Sequence, residues 1–346
     1  MDYLPILLIP IVFILFVLLT KKDENEVTYT TDVVDSEDAP DNQDEEEQNP
    51  TEEAIAEVAN AETEEYGDIL FKASTKYPTF ALIFGNSTTN VATYGSENKL
   101  NGVATDLKRI HALLKGYGNI KNSNNITLTT VAADTFDNSK ATSLEYQAAI
   151  KRIAVYGKKI TGMKVLFLYE SGHGGQVFNQ NDNDADKLAE TRCFYDKAVK
   201  DDDTRDFITK TLGGDWVVIN VVDRCHSGGL SRIVSEDGLQ GTVKSLGVVD
   251  NALLYKFKTN PKATEALLKI QSAASEGTYA MDYGKAYGGL FTWKWVLGIT
   301  AKKGQVSYDD ANKYAANLCG TTQVPELQSA LNQDHTNWSD KNIFLT

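Results

Sequence analysis

From residue 78 onward, short apolar runs rich in β-branched and aromatic residues alternate with amphipathic stretches. That texture predicts a mainly parallel sheet flanked by helices. Strands are predicted over residues 79–84, 125–130, 164–169, 216–222 and 267–272. Residues 105–117 (TDLKRIHALLKGY) put Leu107, Ile110, Leu113 and Leu114 on one apolar stripe ended by glycine, the mark of a helix with one buried face. Further helices are predicted over 143–156, 202–211, 248–257, 290–300 and 308–317. In such sheets ligands collect beyond the carboxyl ends of the strands, so the strand-end loops are the place to look for chemistry.

The first quarter of the chain reads differently. Residues 3–20 (YLPILLIPIVFILFVLLT) are uncharged and mostly apolar, long enough at about 1.5 Å per residue to cross a hydrocarbon layer as one helix. A cleaved signal peptide is the rival reading, but no basic leading region precedes the run and no small-x-small pattern follows it. Lys21 and Lys22 follow the run while Asp2 precedes it, which by the positive-inside tendency predicts a single-pass membrane protein with its C-terminal part on the cytosolic side. Residues 23–65 hold 18 acidic residues and no Lys or Arg. With so little apolar surface to bury, this stretch reads as a solvated stalk. The expected organisation is therefore an anchor over 1–22, an acidic linker over 23–76 and a folded domain over 77–346, the last with a larger part (77–241) and a smaller part (242–346).

The formal net charge of −14 belongs to that stalk. From Tyr66 onward 29 acidic residues face 32 Lys plus Arg, so the folded domain is nearly neutral and nothing suggests nucleic acid as a partner. Three cysteines, an odd number in a long chain with an ample apolar core, argue against a disulfide framework. Cys193 and Cys319 read as core thiols, and His111 and His335 as surface or packing residues.

Two predicted strands run into loops of unusual content. KVLFLYESGHGG delivers His173 between glycines, and WVVINVVDRCHSGG delivers Cys225 in the same way. Hydrolysis by a thiol needs a nucleophile, a base that takes its proton and returns it to the leaving amine, and donors for the oxyanion. His173 and Cys225 supply the first two. The backbone N–H groups of Gly174 and Cys225 are candidate oxyanion donors if the two strands are neighbours.

These residues also carry a resemblance. YESGHGG (169–175) and DRCHSGG (223–229) resemble the histidine and cysteine motifs of the caspase and metacaspase superfamily, in the family's order and about fifty residues apart. ALIFGNSTT from Ala81, LNGVATDLKRIHALL from Leu100, CFYDKAVKDDDTRDFI from Cys193 and YGGLFTWKWVLGI from Tyr287 extend the similarity over most of 78–346. The resemblance implies a caspase-like three-layer α/β/α domain and a cysteine endopeptidase acting on proteins or peptides.

By motif position it implies an acidic pocket formed by Asp106, Ser171 and Asp223, which suits a substrate Arg or Lys. It implies self-cleavage after a Lys or Arg within 180–210 or 230–246. It also implies calcium as an activator held by carboxylates between the motifs, near Asp196, Asp201 and Asp202, although the spacing from Asp196 to Asp201 is shorter than the family's and no obvious fourth carboxylate follows Cys225 at the expected distance. The chemistry itself needs no cofactor.

Competing readings attach to the same residues. Caspases proper hold a substrate Asp with arginines, and Arg192 and Arg224 keep that preference open. A zinc site from His173, Cys225 and His226 lacks a spaced second ligand pair. The run 181–186 (NDNDAD) superficially suggests a calcium loop, but without the glycine and distal glutamate it reads as solvated. From another class altogether, a catalytically silent scaffold at a membrane would use the same fold to bind proteins.

Overall fold

The computed structural model describes residues 79–95, 99–117, 127–129, 141–179, 187–225, 232–234, 240–275, 278–303, 306–320 and 323–329. The apolar run 3–20, the acidic stretch, the run 181–186 and His226 lie outside the described residues. Among the described residues no helix is long and apolar enough to cross a membrane.

The centre is a six-stranded sheet built from β1 (Thr79–Gly85), β2 (Thr127–Thr129), β3 (Lys164–Ser171), β7 (Trp216–Asp223), β11 (Leu267–Ser272) and β13 (Glu326–Ser329), in the order β13-β11-β7-β3-β1-β2. Every neighbouring pair is parallel except β11 with β13. Alternation along each strand sends successive side chains to opposite faces, as a period of two requires. Ala81, Ile83, Phe167, Tyr169, Ile219 and Val221 enter one core, whereas Phe80, Leu82, Phe84, Leu166, Leu168 and Val218 enter the other.

The first core is covered by α2 (Val103–Tyr117), α6 (Leu290–Ala301) and α7 (Tyr308–Cys319), the second by α3 (Ser143–Gly157) and α4 (Asp201–Leu212). Three layers result. The stripe Leu107, Ile110, Leu113 and Leu114 is the buried face of α2. A capping box between Thr142 and Glu145 fixes the start of α3, and Gly157 ends it where a β-carbon would meet the Trp216 ring at 2.0 Å.

One predicted helix is absent. Residues 248–257 form only a short 3₁₀ turn (Asn251–Leu253) capped by Asp250, after which the chain runs extended beside Ala198. Tyr255 and Phe257 are buried while Lys256 between them is exposed, an alternation of two rather than a helical stripe. Their rings join Phe194, Phe207 and Tyr146, so tertiary aromatic packing settles the backbone there.

Two small sheets sit beyond the carboxyl ends of the central strands. One has the order β10-β4-β5-β6, from β4 (Gly174–Phe178), β5 (Leu188–Cys193), β6 (Ala198–Lys200) and β10 (Ser245–Val248). The other has the order β12-β9-β8, from β8 (Arg232–Val234), β9 (Gln240–Val243) and β12 (Met281–Asp282). A short α1 (Val91–Tyr94) and α5 (Gly284–Tyr287) complete the described elements. Because β9 and β10 are separated only by Lys244, one extended segment runs from one small sheet into the other.

Candidate functional site

β3 and β7 pair in register to their last residues, Ser171 opposite Asp223, and Gly172 then donates its N–H to the Asp223 carbonyl at 3.3 Å. His173 and Cys225 each lie two residues beyond that final pair, so the sheet register brings both candidate loops to the same edge. The carbonyl of His173 is fixed by the Cys193 amide at 3.2 Å and by Arg224 Nη1 at 3.1 Å. His173 is 1% exposed and Cys225 2%.

The segment 240–248 lies along both loops. Gly174 donates its N–H to the Lys244 carbonyl at 2.9 Å, and Cys225 donates to the same oxygen at 3.4 Å. Glycine at 174 is what allows this convergence, because a β-carbon there would stand 1.8 Å from the Cys225 carbonyl oxygen. The Lys244 N–H donates to Ala280 at 2.9 Å, and Val243 and Thr242 pair antiparallel with Met281 and Asp282. On the other side Ser245 pairs with Gly174 and Val248 with Gln176.

The side chain of Lys244 continues into the predicted acidic pocket. Its ammonium donates to Asp106 Oδ2 at 3.1 Å and to Ser171 Oγ at 3.1 Å, and stands 3.1 Å from Asp223 Oδ1. Lys244, Asp106, Ser171 and Asp223 are all fully buried. Two glycines form the wall: a β-carbon on Gly288 would meet Asp106 Oδ1 at 2.2 Å, and one on Gly289 would meet Asp223 Oδ2 at 2.1 Å. Asp106 Oδ1 also accepts from the Gly289 amide at 2.7 Å, and Asp223 Oδ2 from Thr292. The pocket carboxylates are thus held by backbone and hydroxyl donors while facing a cation.

The electrostatics follow from one ammonium among several carboxylates. Burial alone would depress Lys244, but Asp106, Asp223 and Asp282 outweigh it and hold the ammonium charged. Burial pushes Asp106 up to about 7, against the pull of Lys244 and with added repulsion from Asp223 and Asp282. Burial likewise pushes the Cys225 thiol up to about 12, opposed by the Ala280 amide, which donates to Sγ at 2.9 Å.

The two arginines considered for a substrate Asp point elsewhere. Arg192 donates to Glu170 at 3.0 Å, and Arg224 lies 3.6 Å from the same carboxylate and over the Phe84 and Phe194 rings. The carboxylates considered for calcium have separate tasks. Asp196 accepts from the Ser143 amide and hydroxyl at 2.7 and 2.8 Å, Asp201 pairs with Arg192 at 3.5 Å, and Asp202 pairs with Arg205 at 2.8 Å. Among the described residues no group of three or more His, Cys, Asp or Glu side chains is placed to hold a metal, and this donor set does not fit calcium.

Sequence reasoning missed the contributions of Lys244, Ala280, Asp282, Gly288, Gly289 and Thr292. The glycine pair before α6 was the available signal, lying inside the motif YGGLFTWKWVLGI. Nothing local marked Lys244.

The family model for the caspase domain matches residues 78–336. Among solved structures, a protein of Geobacter sulfurreducens is similar over 78% of this chain and 98% of its own, with 18% identity and a TM-score of 0.58. Caspase-1 from Spodoptera frugiperda is similar over 76% of this chain and 90% of its own, with 12% identity and a TM-score of 0.48. No curated protein sequence is significantly similar to the chain.

Proposed function

The chain belongs to the caspase-domain family of cysteine peptidases, and from that premise we propose that it is an endopeptidase cutting after Lys or Arg, with Cys225 as nucleophile and His173 as its base. One observation carries the reading. A lysine is seated with its carbonyl oxygen at two converging amides and its ammonium between two buried carboxylates, so the site already binds the side chain and the carbonyl of a basic residue together.

His173 takes the thiol proton, and the sulfur adds to the carbonyl carbon of the substrate Lys or Arg. The amides of Gly174 and Cys225 stabilise the oxyanion, being directed there before charge develops. Collapse of the adduct breaks the C–N bond, and the proton held by His173 goes to the leaving amine. Water then hydrolyses the thioester, releasing the new carboxylate and restoring the thiol.

Asp106, Ser171 and Asp223 align the basic side chain, and β12 supplies an antiparallel edge for the residues before it. A substrate aspartate would meet carboxylates there instead of arginines. The apolar run 3–20 is assigned as the membrane anchor, with the domain on the cytosolic side. No calcium step enters this mechanism.

The test is a thiol-reactive peptide probe ending in arginine. The enzyme reading requires labelling of Cys225 that disappears in His173→Ala, whereas a silent scaffold labels in neither protein.

A further inference from the structure

The arginine immediately before Cys225 turns into the domain, away from the acidic pocket. Arg224 is buried, and its Nη1 donates to the His173 carbonyl at 3.1 Å. Its Nη2 lies 3.6 Å from Glu170 Oε2, and the guanidinium stands 6.0 Å from the centre of the Phe84 ring and 5.8 Å from that of Phe194. Glu170 is fully buried near the end of β3. It accepts from Arg192 Nε at 3.0 Å, from Asn220 Nδ2 at 3.1 Å and from the Tyr146 hydroxyl at 3.3 Å. Arg192 comes from β5, and its Nη1 lies 3.5 Å from Asp201 at the start of α4. Burial alone would weaken the Arg192 charge, but Glu170 and Asp201 outweigh it and hold the guanidinium protonated.

Glu170 and Arg224 are the chain neighbours of the pocket residues Ser171 and Asp223, and the period of two sends them to the opposite face, that of Phe84 and Phe194. A buried ion pair adds little stability over apolar side chains of the same volume, so stability alone does not account for a guanidinium set against the His173 carbonyl. We infer that Arg224 is a positioning residue for the base: one buried guanidinium holds the His173 backbone while its own chain carries Cys225, and Glu170 and Arg192 keep that guanidinium in place. This rests on the function proposed above and names what keeps its two reacting side chains in register. The planar fork reaches the carbonyl and Glu170 together, which a lysine ammonium on a flexible stem does not. The Cys193 amide is a second donor to the same carbonyl, at 3.2 Å, so loss of Arg224 loosens the loop without releasing it. Because the guanidinium lies on the face away from Asp106 and Asp223, its loss acts on proton transfer and leaves the hold on a basic side chain intact.

The test compares the full-length wild type with Arg224→Met, Arg224→Lys and Glu170→Gln, in detergent at neutral pH, on a lysine-ending peptide amide and on the nitrophenyl ester of the same peptide. The ester's leaving group departs without a proton, so it depends less on where His173 stands. Arg224→Met should lose about 10²-fold in kcat on the amide with KM unchanged, as a base displaced by about an ångström does, and far less in kcat/KM on the ester. Arg224→Lys keeps the charge without the fork, and Glu170→Gln weakens the fork's anchor. Both should show the same split with smaller losses, about tenfold, and they settle the matter should Arg224→Met fail to fold. Equal losses in kcat/KM on amide and ester, a raised KM with kcat kept, or wild-type rates in the variants would overturn this inference alone. Absence of amide hydrolysis by the wild type would overturn the peptidase reading with it.

Discussion

Gly174 approaches Cys225 so closely that a β-carbon on it would lie 1.8 Å from the Cys225 carbonyl oxygen, and this closeness lets their two amides share one acceptor. Gly174→Ala must therefore push the loops apart and lose one donor to the oxyanion. The expected result is a fall in kcat on the order of 10²–10³-fold with KM little changed, measured on a lysine-ending peptide.

Asp223 is fully buried and faces the Lys244 ammonium at 3.1 Å. Asp223→Asn should lower stability by about 3–5 kcal/mol in chemical denaturation, as removal of one partner from a buried pair does. In protein that still folds, preference for Lys or Arg over uncharged residues should weaken.

Acidification should act on the pocket as well. Burial raises Asp106 to about 7, so below that pH its carboxyl is protonated and offers no charge to a basic side chain. KM for a lysine peptide should rise as pH falls through about 7, while KM for an uncharged analogue should not.

Burial raises the Cys225 thiol to about 12, against the pull of the Ala280 amide and the Lys244 charge, so thiolate is scarce. Alkylation of Cys225 should be slow and should quicken about tenfold for each unit of pH through the neutral range, following the thiolate fraction. Cys193 and Cys319 are buried and raised to about 12 as well. The Lys244 charge pulls the Cys225 thiol down, so Lys244→Gln should slow labelling at Cys225 and leave the other two cysteines unchanged, which peptide mapping by mass spectrometry reads.

The central strands were legible because long runs buried on both faces, such as KVLFLYES and WVVINVVD, have few alternatives to a parallel sheet. The register that joins His173 and Cys225 follows from that sheet. The small outer strands were not legible: β4 opens on two glycines, and β12 has only two residues, too short for a period to show. Residues 248–257 misled because Leu253, Leu254, Tyr255 and Phe257 are dense enough in apolar groups to imitate a helix. The pocket acids could be placed through motif resemblance, but the occupant could not. Lys244 acquires meaning only from Asp106, Ser171 and Asp223, which lie far from it in sequence and meet it only in the fold.

Asp196 has a structural task in the fold. Its two oxygens accept from the Ser143 amide and hydroxyl at the start of α3. Asp196→Ala should cost about 1 kcal/mol of stability, as loss of a helix cap does. Any response of the activity to calcium should stay where it was, and a calcium titration of wild type and variant checks this.

Hydrolysis of two peptides that differ only at the residue before the cut, Gly-Thr-Val-Lys and Gly-Thr-Val-Asp, each followed by a fluorogenic amide, distinguishes a basic from an acidic preference at this site. Their first three residues copy Gly241, Thr242 and Val243, the residues that precede Lys244 in the site. The prediction is release of the fluorophore from the lysine peptide by the wild-type chain, none by Cys225→Ala, and little from the aspartate peptide. Equal or faster cleavage of the aspartate peptide, or hydrolysis that survives Cys225→Ala, would contradict it.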